Sequence, residues 1–205
     1  MSTAATSPPV PAPEFMENAG FRQFTVDEYH QMIKAGILID GEPIELLEGW
    51  MVKKTAHGTP HDCTLDLLEG ELLRVLPATW FARSQRAVTL SDSEPEPDIA
   101  IVRSPRNRYK ITHPVPDDIA LLIEVSDSSL RLDRIGKGRI YSRAGIAVYW
   151  VVNVVDKVIE VYTQPGGTGE SAAYIKRDDF VIGTTVPVVL DGNTIGTIAV
   201  NDVFG

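Results

Sequence analysis

Residues 119–126, IALLIEVS, place one carboxylate, Glu124, inside a nearly continuous apolar run. A run of that length and content reads as a buried strand. A carboxylate rarely enters such a strand without a partner, because leaving water uncompensated costs it several kcal/mol or forces it to take up a proton. The rest of the sequence must therefore supply a counter-charge or a metal ion for Glu124.

The chain has 205 residues, of which 43% are hydrophobic and 23% charged, an ordinary globular composition sufficient for one domain over residues 21–205. Its net charge of -9 argues against nucleic-acid binding by bulk electrostatics, though not against a metal-assisted enzyme with a local basic patch. The single cysteine, Cys63, rules out an internal disulfide and suits a cytoplasmic protein. No apolar run approaches a membrane span. The Ala-, Pro- and Ser-rich residues 1–20 lack the basic and apolar regions of a signal peptide and read as a flexible arm.

FTVDEYHQMIKAG reads as a helix with a Thr25–Glu28 capping box, a stripe of Tyr29, Met32 and Ile33, and Gly36 as its stop. PIELLEGWMVKK reads as two strands hinged at Glu48-Gly49. A second helix follows, with Thr59 as N-cap, Pro60 in the first turn and a stripe of Leu65, Leu68, Leu72 and Leu73. WFARSQ, AVTLS, DIAIVR and IALLIEVS are candidate strands. RLDRIGKGRIYSRAG returns to helix, and VYWVVN with KVIEVYTQ reads as a hairpin through Val155-Asp156. AAYIK, TVPVVL and TIAVNDVF supply further strands and a final turn. The fold class is α/β or α+β, a mixed sheet flanked by helices with extra β-hairpins.

The carboxylates on apolar strands carry the chemistry. With period two, Asp98 shares a face with Ala100 and Val102, and Glu124 shares one with Leu122 and Ser126. If the two strands are neighbours, Asp98 and Glu124 point into one pocket. Close carboxylates repel, and a hard divalent cation removes that penalty; Mg2+ is commonly held by one or two carboxylates. The alternative is that Asp98 caps a strand end and Glu124 pairs with a core Arg or Lys. Asp133, Lys137 and Tyr141 recur at i, i+4 and i+8 on one helix face. That helix can return Lys137 to the end of the Glu124 strand, where an ammonium stabilises charge on a phosphoryl group. The bland reading is an exposed Asp133–Lys137 pair.

EPDIAIV, LLIEVSDSS and LDRIGKGRIYSRAGIAVYWVVN, in that order, resemble the PD-(D/E)XK nuclease superfamily, and within it the Uma-two family of restriction-endonuclease-like proteins. PIELLEG, His61 and TIAVNDVF extend the resemblance from about Phe24 to the C-terminus. It implies a restriction-endonuclease-like sheet and hydrolysis of DNA phosphodiesters with Mg2+, for which Mn2+ substitutes. Asp98 and Glu124 match the metal-binding pair. The lysine expected two residues after the glutamate is replaced by Ser126, and Lys137 matches the lysine that this branch carries on the following helix. Glu45 matches an upstream acidic residue that adds a ligand or positions water. A homodimer is also implied, and the VYWVVN strand with its hairpin is a candidate interface.

His61 and Asp133 are accessory candidates. His61 opens its helix and either donates to a phosphate or carboxylate or makes a structural hydrogen bond. His57 lies four residues earlier, but Gly58, Thr59 and Pro60 intervene, so the two do not form a helical metal pair. RSPRNRYK is the densest basic run. Arg103, Arg106, Arg108 and Lys110 are candidate nucleic-acid contacts with Tyr109 as a stacking surface, or else the run is a solvated loop. The principal expectation is a Mg2+-dependent endonuclease; the alternative is a weakly active or inactive nuclease-fold dimer that acts as a binding module.

Overall fold

The computed structural model describes residues 20–39, 41–54 and 56–205. The expected flexible arm lies, except for Gly20, outside the described residues. Thr25 and Glu28 form the expected reciprocal capping box at the start of α1 (Val26–Lys34), satisfying two end donors of the helix. Tyr29 and Met32 pack with Leu38 and Leu46, whereas Ile33 is exposed. The strands β1 (Ile44–Leu47) and β2 (Trp50–Lys53) pair through Glu48 and Gly49, both at positive φ of 51° and 79°, the two-residue turn that follows strand twist.

The helix α2 (Thr59–Val75) differs from the sequence expectation in its N-cap and in one residue of its stripe. Gly58, not Thr59, is its N-cap, without a side-chain bond, and Pro60 falls within its first turn. Leu65, Leu68 and Leu72 are buried, but Leu73 is 62% exposed. Spacings of three and four already fill the buried stripe, and Leu73 falls about 100° around the helix from Leu72.

Six strands then form one sheet. They are β3 (Trp80–Ser84), β4 (Ile99–Arg103), β5 (Ile119–Ser126), β6 (Val148–Asn153), β7 (Val158–Gly166) and β8 (Ala173–Val181), in that spatial order. AVTLS is not among them. Its backbone closes on the following turn, with the Val88 amide donating to Pro95 and the Leu90 amide to Ser93. β5 and β6 are parallel and every other pair in the sheet is antiparallel. The parallel step requires a crossover, here a π-helical turn, Leu132–Lys137, continuing into α3 (Gly138–Arg143). The hairpin β9 (Thr185–Leu190) and β10 (Asn193–Ala199) and the closing α4 (Val200–Phe204) complete an α+β fold.

All eight residues of β5 are buried. Leu121, Ile123 and Val125 pack with α2 and β9, while Leu122 packs on the opposite face with Ala100, Tyr149, Tyr141 and Leu47. A strand covered on both faces has no reason to alternate polar and apolar residues. The same holds for β6, whose six residues are all buried, with Tyr149 and Trp150 fully enclosed. VYWVVN is therefore an internal strand and not the exposed dimer surface expected from its aromatics.

The β1–β2 turn is tied to α3. Arg139 Nε donates to Glu48 Oε1 at 2.9 Å, Arg143 Nη1 to the same oxygen at 2.6 Å, and Arg143 Nη2 to Asp92 at 2.8 Å. The bond from Arg139, helped by Arg143 against partial burial, holds the Glu48 carboxyl below its usual range. A depressed carboxylate adds stability above its unfolded value, about 4.3, and loses it as pH falls through the lower folded value. Acid titration followed by circular dichroism should therefore show wild-type stability declining below about pH 4.3, with a shallower decline in Glu48→Gln. Identical slopes would exclude this contribution.

Candidate active site

Three elements deliver carboxylates to one pocket. Asp98 immediately precedes β4, Glu124 lies near the end of β5, and Glu45 sits in β1 two residues before Leu47, which packs on the same sheet face. Ala100 pairs with Leu122 and Ile99 with Ile123, so Asp98 and Glu124 share the face assigned by the period-two pattern. Glu45, Asp98, Glu124 and Asp133 are all at most 5% exposed, and they line the pocket with Lys137, His57 and His61.

Lys137 arrives from the π-helical turn. Its Nζ donates to Glu124 Oε1 at 3.0 Å and lies 3.5 Å from Glu45 Oε1. The Tyr141 hydroxyl donates to the same Glu124 oxygen at 2.6 Å. Asp133 accepts from Ser126 Oγ at 2.6 Å and Ser129 Oγ at 2.5 Å. Asp133 and Lys137 are both buried, so they are not an exposed helix pair. The flanking glycines fit this packing: a Cβ on Gly136 would meet Leu132 Cδ1 at 2.9 Å, and one on Gly138 would touch the Asp133 carbonyl at 3.4 Å. The Tyr149 hydroxyl donates to that carbonyl at 3.0 Å, satisfying a backbone acceptor within the π turn.

Asp98 has different partners. Its Oδ2 accepts from the Val125 amide at 2.8 Å and lies 3.2 Å from His61 Nε2. His61 is buried, and its Nδ1 lies 3.1 Å from Asp62. The Gly58-Thr59-Pro60 step also folds His57 back over His61, their rings stacked 3.8 Å apart. His57, His61 and Asp98 each offer a ligand atom, all within 4.8 Å of one another. The interruption that argues against a helical histidine pair is what brings the two rings together. His57 is the residue that sequence spacing misses, and its signal is a histidine on each side of a helix-opening Gly-Thr-Pro.

The electrostatics are unbalanced toward negative charge. Burial opposes the Lys137 charge, but Glu124, Glu45 and Asp133 outweigh it and hold the ammonium above the ordinary lysine range. Burial drives Glu124 well above the usual carboxylate value despite Lys137, and it raises Glu45 and Asp133 in the same way. Asp98 lies below its usual value, because His61, the Val125 amide and Lys137 overcome its burial. Burial likewise opposes the charge on His61, but the bond and charge of Asp98 raise its imidazole. One buried ammonium faces four buried carboxylates, the more exposed Lys54 at the pocket being paired with Glu96 at 2.7 Å, and Glu45 Oε2 is buried without a hydrogen-bond partner among the described residues. An orphaned acceptor and surplus negative charge beside imidazole nitrogens fit a divalent cation.

The basic run lies elsewhere. It begins at Arg103, the far end of β4 from Asp98, about 17 Å away at the rise of a strand. Arg103 Nη2 donates to Asp191 at 2.9 Å and Arg108 pairs with Asp118 at 2.6 Å. Lys110 is exposed. Tyr109 Oη donates to the Arg103 carbonyl, and its ring lies against Arg83 rather than open for stacking. No helix among the described residues is long and apolar enough to cross a membrane.

Comparison with known proteins agrees with the fold. Among matching solved structures is one described as a "putative nuclease belonging to DUF820" from Anabaena variabilis ATCC 29413. It is 16% identical, with a TM-score of 0.67, and the match covers 88% of this chain and 97% of that one. At that identity the likeness concerns the fold. No curated protein matches the chain. Residues 26–193 match the Uma2 family, described as "Putative restriction endonuclease". With most of its length matched, the chain belongs to the Uma2 family.

Proposed function

We propose that the protein is a divalent-metal-dependent endonuclease that hydrolyses DNA phosphodiester bonds at the Asp98–Glu124–Lys137 pocket. The observation that carries this reading is the excess of buried carboxylates around one buried lysine, with Glu45 Oε2 left unpartnered among the described residues. Family membership supplies the reaction class. Asp98 and Glu124 would hold the cation, with His57 and His61 as nitrogen donors beside Asp98. When bound, a divalent cation neutralises phosphate charge and makes water a stronger acid at neutral pH. The chain's own groups do the rest. Glu45 Oε2 is free to orient a water molecule, and Lys137 stabilises negative charge that develops on the phosphoryl oxygens. Asp133, fixed by Ser126 and Ser129, and Tyr141 hold Lys137 and Glu124 in place.

Imidazole nitrogens suit Mn2+ better than Mg2+, which prefers oxygen ligands. Plasmid cleavage should therefore be faster with Mn2+ than with Mg2+, and His57→Ala should narrow that difference. Asp98→Ala should remove cleavage with either ion, and Lys137→Ala should slow it by about 10²–10³-fold. Cleavage that survives both substitutions would sink the site assignment.

A further inference from the structure

The cleft outside the edge strand β3 is basic in a chain of net charge -9. Arg83, Arg86 and Arg106 line it, and none forms a salt bridge among the described residues. Arg83 Nε is buried with no hydrogen-bond partner. The one carboxylate in the cleft, Glu69, accepts from the Ser84 hydroxyl and not from an arginine.

These guanidinium groups are held in place without being neutralised. The Arg83 group lies 5.2 Å from the Tyr109 ring and the Arg106 group 4.6 Å from the Phe81 ring. Stacking on an aromatic face orients the planar fork while leaving its N–H groups free, the arrangement suited to a phosphate. The aromatic faces are occupied by arginine and so are not a base-stacking platform. Burial, then the neighbouring charge of Arg86, lowers the Arg83 pKa, as expected of cations gathered without an anion.

The strand that bears the cleft is paired to the one that follows Asp98. Arg83 pairs with Ala100 and Ser84 with Ile99, and the Gln85 amide donates to the Asp98 carbonyl at 3.0 Å. Arg83 shares a sheet face with Phe81 and Ala100, and therefore with Asp98 and Glu124 by strand periodicity. One strand spacing, about 5 Å, separates the β3 backbone from that of β4.

We infer that Arg83, Arg86 and Arg106 form a phosphate track that carries the DNA backbone across the β3 edge to the Asp98–Glu124 pocket. The track rests on the nuclease reading above for the identity of its ligand. It contacts phosphates and not bases, so binding through it is insensitive to sequence and sensitive to salt. It replaces the RSPRNRYK run as the basic surface; only Arg106 belongs to both.

The test is equilibrium binding of a labelled DNA duplex across a salt series, with Ca2+ in place of Mg2+. Each phosphate contact adds about 0.9 to the slope of log affinity against log salt for duplex DNA. Arg86→Gln, exposed and unpaired, should make the slope shallower by about one while leaving the fold intact. The triple variant R83Q/R86Q/R106Q should lose two to three units of slope and about tenfold or more in affinity at ~0.1 M salt. Lys110→Gln should behave as wild type. Wild-type slope in the triple variant, or an equal loss in Lys110→Gln, would overturn the track while leaving cleavage at the pocket standing. Binding with the expected slopes but no wild-type cleavage in Mg2+ or Mn2+ would overturn the nuclease reading and leave the track. No wild-type binding to DNA at low salt would overturn both.

Discussion

Lys137→Met should destabilise the protein by about 3–5 kcal/mol, the usual consequence of removing one partner from a buried ion pair. Among the described residues Lys137 is the only ammonium within hydrogen-bond reach of Glu124, and it lies beside Glu45 and within the influence of Asp133. Without it, the buried carboxylates can lower their energy only by taking up protons. Their folded pKa values would then rise further above the unfolded ones. A carboxyl raised in this way stabilises the fold at low pH and loses that contribution as pH climbs through the folded value. The deficit should therefore be small near pH 5 and widen toward pH 8. Mn2+ should recover part of it, because the cation supplies the missing positive charge. Denaturant unfolding at several pH values, with and without Mn2+, measures all three effects. A variant within ~1 kcal/mol of wild type at pH 8 would mean that Lys137 is not the charge on which the pocket depends. Catalysis should suffer as well, by about 10²–10³-fold, the loss typical of one preorganised group that stabilises transition-state charge.

Asp98→Asn has the second large expected effect. It keeps the shape of the side chain beside His61 and the Val125 amide but removes the negative charge that both contact. In the wild type, Mn2+ at about 100 times its Kd should add roughly 2.7 kcal/mol of stability. For a domain of this size, that is a rise in Tm on the order of 5–10 °C. Asp98→Asn should abolish the shift and leave cleavage at background. A full thermal shift in the variant would place the metal away from Asp98.

Much of the site was legible because it depends on short-range patterns. The buried strand IALLIEVS could be read from its apolar length, and the shared face of Asp98 and Glu124 followed from period two. The alternative partner considered for Glu124, a core Lys or Arg, and the lysine expected on the following helix turn out to be the same residue, Lys137. The Thr25–Glu28 box and the Glu48-Gly49 turn were legible for the same reason, since a local hydrogen bond or a positive φ fixes each.

What the sequence hid depends on tertiary contact. Nothing in AVTLS distinguishes a strand from a segment that turns back on Pro95 and Ser93. Tyr149 and Trp150 look like interface aromatics until the sheet is known to cover both of their faces. The π-helical turn is invisible to an i, i+4 reading, although Asp133, Lys137 and Tyr141 still converge on the strand that carries Glu124. Helical geometry keeps His57 from pairing with His61, and it reaches that ring through loop geometry instead. Arg83 and Arg86 lie outside the dense basic run, and only strand pairing shows that their segment runs alongside the one that carries Asp98.

The assignment of Asp98 and Glu124 as metal ligands can be checked in a crystal soaked in Mn2+ and measured for anomalous scattering. It requires one strong peak in the pocket, within coordination distance of Asp98 and Glu124, with His57 or His61 as a nitrogen neighbour and Lys137 moved off Glu124. A pocket without a peak at millimolar Mn2+, with Lys137 still bonded to Glu124, would contradict it.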